Sequence, residues 1–280
     1  MPSFLENWGG GPSLKKGHSA LVFPIFVAAW GLTRHAPGVK LIGMSEVSSS
    51  DTQRTSTVNL VRSSHPWTQA DSAAGFVLRY LAPMRRQSTS ILGSTEHADE
   101  ALKLLLGHLV SVGFGEHKQG RLRDFLLRGI RSAAKSFVNE LPENERPPLN
   151  LDNVTLEAKQ WVTFWREGLL ERAWRSLERQ EHTDPATPVF SVLHCATANP
   201  QATPAMLVVQ IASETGVKTD EATVQATLPI ARALFAQLIA DEVAETLENP
   251  TGDDVKREIS QLGLGKAFSG VSVAVGSKST

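Results

Sequence analysis

The chain has 280 residues, with 28 Lys and Arg against 29 Asp and Glu, and 41% of it is hydrophobic. That apolar share supports packed cores and excludes a disordered chain, and the near-zero charge balance argues against a uniformly basic nucleic-acid binder. A single cysteine, Cys195, excludes a disulfide framework within the chain and favours a reducing, cytoplasmic setting. Apolar residues recur at helical spacing and seldom alternate, so an all-α fold is expected. The length suits one large domain or two small helical domains joined by a linker.

Charge is segregated along the chain. From Lys118 to Lys135 there are six bases and one acid, Asp124, whereas Asp241 to Glu258 holds seven acids and two bases. One surface can therefore face nucleic acid while another serves a different purpose.

Residues 1–51 read as an N-terminal extension. A glycine run, Gly9 to Gly11, precedes an apolar stretch from Ala20 to Leu32. That stretch is shorter than the roughly 20 residues a membrane span needs, and no membrane association is expected. It suits the apolar part of a signal peptide behind Lys15 and Lys16, but no small-residue cleavage site follows. Met44 opens a polar, ordinary N-terminus and is a candidate start, which makes the extension disordered or a mis-assigned start.

The first structured block is 52–138. Phe76, Val77, Tyr80 and Leu81 form an apolar patch at helical spacing, and Leu102, Leu105, Leu106 and Leu109 form another. Pro83 is expected to bend or end the first helix. A further helix spans Gly120 to Val138. Residues 139–154, with three prolines among polar residues, read as a linker.

The second block is 155–250. An amphipathic helix over about 155–180 carries Trp161, Trp165, Leu169, Ala173 and Leu177 on one face. A break follows from His182 to Pro188. Thr203 then Pro204 is a helix start, Gly216 a helix stop, and Asp220 with Glu221 opens the next helix. Its apolar stripe is Val224, Leu228, Ala231, Phe235 and Leu238. Two helices around a short glycine-bearing turn have the form of a helix-turn-helix. Residues 251–280 read as a C-terminal tail, mobile from Gly265 onward.

Catalytic signatures are missing: there is no HExxH, no GxSxG and no complete phosphate-binding loop. The eight histidines show no metal-ligand spacing, and His194 and Cys195, as helix neighbours, point apart. No metal, cofactor or catalytic residue is therefore expected, and the chain does not read as an enzyme. Cys195 reads as a small core residue.

Two constellations remain. In the basic helix GRLRDFLLRGIRSAAK, Asp124, Arg128, Arg131 and Lys135 share one face, with Arg121 and Arg123 in or just before the first turn. Leu122, Phe125, Leu126 and Ile130 supply its buried side. The basic face suits phosphate contacts, and a solvated charged face is the ordinary alternative. In the helix-turn-helix, the second helix would present Thr223, Gln225, Ala226 and Arg232 to base edges, with Lys218 in the turn. An ordinary helical hairpin is the alternative there.

In this order and spacing the two constellations resemble those of bacterial RNA polymerase sigma factors of the extracytoplasmic-function (ECF) type, sigma-seventy superfamily, in a planctomycete-like variety. The stretches that carry the resemblance are Thr52 to Arg62, Phe76-Val77 with Arg79-Tyr80, Ala98-Asp99-Glu100, and Gly120-Arg121-Leu122-Arg123-Asp124-Phe125-Leu126. Trp165 to Arg179 and Thr223 to Arg232 complete it. The resemblance implies a region-two-like domain over 52–138 and a region-four-like domain within 155–250. It implies core RNA polymerase and promoter DNA as partners, leaves room for an anti-sigma factor, and needs no cofactor. On it, Arg121, Arg123, Arg128, Arg131 and Lys135 would contact the minus-ten region. Lys218, Thr223, Gln225 and Arg232 would contact the upstream element. Asp99, Glu100 and Lys103 would face the polymerase.

The chain departs from the family pattern at several of these places. Lys103 and Leu104 replace a Gln-acid pair, and Gln225, Pro229 and Ile230 stand where bases or His are usual. Pro229 is expected to end the recognition helix near Leu228 and start another. The competing reading from these departures is a diverged sigma-like interaction module or regulator without promoter recognition. A dimeric helix-turn-helix regulator ranks last.

Overall fold

Helix signals in the sequence turn into elements at well-marked stops and starts. The computed structural model describes residues 57–62, 65–117, 119–151 and 158–274. The expectations for 1–51, including the Met44 start, lie outside them.

A short strand β1 (Thr57–Asn59) leads to a 3-10 turn at Trp67–Gln69 and to helices α1 (Ala73–Leu78), α2 (Leu81–Leu92), α3 (Thr95–Val112) and α4 (Leu122–Glu140). The second half holds α5 (Lys159–Thr183), α6 (Val189–Ala198), α7 (Pro204–Thr215), α8 (Glu221–Glu245), α9 (Gly252–Gln261), a 3-10 turn at Gly265–Phe268 and strand β2 (Ser272–Ala274). The chain is all-α in class apart from a two-stranded parallel pair, β1 with β2, in register Val58 to Val273.

Pro83 does not end a helix. It sits in the first turn of α2, where a missing N–H costs nothing because no carbonyl precedes it to bond. α1 ends earlier, at the turn through Arg79 and Tyr80. The Thr203–Pro204 start holds as expected: Thr203 Oγ1 accepts from Met206 N–H, and Pro204 is the first helical residue. Gly216 closes α7 at φ 73°, a conformation that costs glycine no side-chain clash.

Pro229 also behaves differently from the expectation. α8 runs unbroken from Glu221 to Glu245 with Pro229 inside it. Pro229 and Gln225 are both exposed, so water can take the carbonyl that the proline leaves unbonded.

α2, α3 and α4 pack on one another, and α5 lies on α2. The tryptophan face of α5 is buried as its spacing predicts: Trp161, Trp165, Leu169, Ala173 and Leu177 are all inaccessible to water. Trp165 stacks on Tyr80 at 4.8 Å, and Trp161 Nε1 donates to the Arg123 carbonyl at 3.2 Å. α8 packs on α5, α6 and α9, and also on β1. A second aromatic group, Trp67 with Phe114 at 4.9 Å and Phe125 at 5.3 Å, closes the entrance to α4.

These contacts cross the stretch 139–154, and Arg54–Thr280 form one compact unit. The expected linker thus joins segments that share a core. The expected mobile tail is likewise structured as far as Ala274, because α9 buries Val255, Glu258 and Ile259 and β2 pairs with β1. Residues 275–280 lie outside the description.

Candidate nucleic-acid and partner interface

The entrance to α4 is sewn to the end of α8. Gly120 takes φ 74°, and its N–H donates to Glu248 Oε2 at 2.7 Å. Leu122 N–H donates to the Thr246 carbonyl, and Glu248 N–H to the Gly120 carbonyl. Arg121 Nε donates to Asp124 Oδ2 at 2.7 Å, and its Nη1 to Gln261 Oε1 at 2.7 Å. Arg123 Nε donates to Glu258 Oε1 at 2.6 Å, with side-chain exposures of 3% and 4% for the two partners. A guanidinium this deep stays charged only if it is paired.

This arrangement changes the reading of the basic helix. Arg121 and Arg123, expected on a DNA-facing surface, are spent on α9 and on Asp124. Asp124, expected on the outer face, is buried. Of the basic residues along α4 only Arg128, Arg131 and Lys135 remain exposed, and none of the three makes an ion pair among the described residues. The buried side is as expected for Leu122, Leu126 and Ile130, with Phe125 half-buried.

A second network absorbs the acids of α8. Arg172 grips Glu242 with Nε at 2.7 Å and Nη2 at 2.8 Å. Arg79 reaches Glu245 at 2.6 Å, and Arg62 reaches Asp241 at 2.5 Å. Tyr80 donates to Glu242 Oε2 at 3.4 Å. Burial, then the Glu242 charge, pushes the Tyr80 phenol well above its ordinary range, so it stays a neutral donor. Burial also raises the Asp241 carboxyl, with Arg62 opposing. The acidic run from Asp241 to Glu258 is therefore largely internal glue. The sequence signal was present in Asp241 and Glu245, four residues apart on a helix otherwise rich in Ala, Val and Ile.

Asp99, Glu100 and Lys103 lie together on the outer side of α3, as their spacing requires. Asp99 receives both Arg85 donors, at 2.6 and 2.7 Å, which holds its carboxyl below the usual range. Lys103 pairs with Glu100 at 2.6 Å. Exposed pairs of this kind contribute little stability and exchange readily with a partner's groups.

α7 and the first turns of α8, where a helix-turn-helix was expected, pack with α6 around Val192, Cys195, Leu207, Ile211 and Val224. Asp220 caps α8 by accepting from Thr223 N–H at 2.7 Å. Lys218, Gln225 and Arg232 are exposed, and Thr223 is half-buried. The same segment, 203–235, exposes Met206 and Val209 and the acids Glu214, Asp220 and Glu221. Two cations against three anions give phosphate no net attraction. By length and composition α8 alone among the described helices could cross a membrane. However, its buried side meets α5, α6 and α9, and three arginines pair along its C-terminal half.

α6 and α7 also bring together three donor atoms that are apart in the sequence pattern. His194 and Cys195 on α6 and Glu214 on α7 bring one ligand atom each within 4.8 Å of one another. The Cys195 thiol donates to Glu214 Oε2 at 3.5 Å and is pushed up to about 12 by burial and by Glu214. Spacing along one chain missed this group because Glu214 arrives from a different helix. No protein-family model, curated protein or solved structure matches the chain.

Proposed function

We propose that the chain is a diverged sigma-like interaction module: a binding protein without chemistry of its own, which docks on a protein of the transcription machinery and does not read promoters. The observation that carries this reading is the burial of Arg123 against Glu258, with Arg121 held beside it. The two arginines nearest the sigma-like motif are unavailable to DNA. The helix-turn-helix face supports the reading independently, since Met206, Val209 and Ala226 suit an apolar protein contact better than a phosphate backbone. The exposed Asp99, Glu100 and Lys103 group is the side offered to core RNA polymerase or to a competing sigma factor.

The second reading, a working sigma factor, is favoured by one observation: Arg128, Arg131 and Lys135 form an exposed basic row on α4. Co-purification of the full chain with core RNA polymerase, followed by initiation assays on promoter templates, separates the two. The interaction module predicts stable association without initiation, and Asp99→Arg/Glu100→Arg is expected to abolish it. Promoter-dependent initiation, lost in Arg128→Ala/Arg131→Ala, would establish the sigma factor instead. No association would sink both.

A further inference from the structure

We infer that His194, Cys195 and Glu214 form a site for one zinc ion that ties α6 to α7 within the helix-turn-helix. The donor set is an imidazole nitrogen, a sulfur and a carboxylate oxygen, all within 4.8 Å of one another. A tetrahedral zinc centre, with bonds of about 2.0–2.3 Å, holds its donors roughly 3.5 Å apart. The Cys195 Sγ to Glu214 Oε2 distance is already 3.5 Å. The His194 nitrogen lies within 4.8 Å of both other donors, about 1 Å beyond that separation.

The chemistry selects the metal. Sulfur and imidazole suit zinc, whereas magnesium and calcium require oxygen donors throughout. The surroundings hold the ligands in place. Gln210 Nε2 donates to Glu214 Oε1 at 2.8 Å, which leaves Oε2 turned toward the sulfur. His194 is stacked on Phe190 at 5.4 Å and lies edge-on to Trp174 at 6.1 Å, so its ring plane is confined. Glu181, anchored on Ser191 N–H and Oγ, adds a negative charge nearby. Entry is from the Glu214 side, because Glu214 is exposed while Cys195 is buried. Three protein ligands leave the fourth position to water. On binding, the Cys195 S–H bond is replaced by a sulfur–metal bond and the proton passes to water.

Cobalt titration of the full chain tests the site. Cys195 is the chain's single cysteine, so a thiolate-to-cobalt charge-transfer band can arise nowhere else. The expected result is a band that saturates at one equivalent, is displaced by zinc and vanishes in Cys195→Ser. Cys195 is a core residue, so the exposed Glu214→Gln variant is the second test. It is expected to keep the wild-type circular dichroism and to weaken cobalt binding by more than about tenfold. Cobalt binding without the thiolate band would assign the metal to other histidines, and equal affinity in Glu214→Gln would remove Glu214 from the site; either result overturns the proposal.

Discussion

Replacing Glu258 with alanine removes the main partner of a guanidinium that has almost no access to water. Arg123 and Glu258 are 3% and 4% exposed at the side chain, and their Nε to Oε1 distance is 2.6 Å. Breaking a pair of this kind costs about 3–5 kcal/mol, because the remaining charge is stranded in a poor solvent. Arg123 would keep Asp124 at 3.5 Å and Gln261 at 3.3 Å, which places the expected loss near the lower end, about 3 kcal/mol. Urea unfolding followed by circular dichroism reads this directly. With a slope of about 3 kcal/mol per molar, the midpoint should fall by about 1 M. The double variant Arg123→Met/Glu258→Leu leaves Arg121 and Asp124 paired with each other and strands no charge, and should recover to within about 1 kcal/mol of the parent. A loss in Glu258→Ala below about 1 kcal/mol, the range of exposed pairs, would refute the reasoning and return Arg123 to the surface.

Three further outcomes are expected. A Cβ on Gly168 would lie 3.0 Å from Pro83 Cγ, and the proline ring cannot turn aside. Gly168→Ala should therefore destabilise by about 1 kcal/mol or more despite its helix propensity, whereas Gly129→Ala, which meets only the movable Leu105 Cδ1 at 2.9 Å, should be close to neutral in the same unfolding assay. Pro229→Ala should raise stability by about 1–3 kcal/mol, since it restores a hydrogen bond on an exposed turn of α8 without touching the core. Hydrogen bonds from Thr223 N–H to Asp220, and from Thr251 to Asp254, hold both carboxyls below the usual range. Their contribution is complete above about pH 4 and is lost as pH falls through the lowered folded values, so Asp220→Asn/Asp254→Asn should flatten the acid limb of a stability–pH profile.

Local rules read well where neighbours in sequence settle the outcome. The tryptophan face of α5, the Thr203–Pro204 start and the Gly216 stop follow from spacing, capping and a positive φ, and each is found where it was expected. Pro83 and Pro229 failed for opposite reasons. One fell in a first turn that has no bond to lose, and the other on an exposed turn where water can solvate the freed carbonyl and the helix bears the remaining cost. Partners distant in sequence were not legible. Arg123 meets Glu258 across 135 residues and Arg79 meets Glu245 across 166, and nothing in either local pattern names the other. A basic motif and an acidic run looked like two surfaces because charge was read along the chain. In the fold Arg121 and Arg123 of the motif meet Glu258 of the run, while Asp241, Glu242 and Glu245 are paired by Arg62, Arg172 and Arg79. The His194, Cys195 and Glu214 group was hidden in the same way, by a ligand supplied from the next helix.

The most direct test of the proposal that this protein does not read promoters is the salt dependence of duplex DNA binding by the full chain, followed by fluorescence anisotropy. With Arg121 and Arg123 held internally, the exposed row Arg128, Arg131 and Lys135 can neutralise about three phosphates, for a slope of log K against log salt near −2.7. The expected result is a slope no steeper than about −3, equal for promoter and unrelated duplexes, and lost in Arg128→Ala/Arg131→Ala/Lys135→Ala. A slope of about −5 or steeper with a clear promoter preference would contradict it, and would mean that the buried arginines and the helix-turn-helix open onto DNA after all.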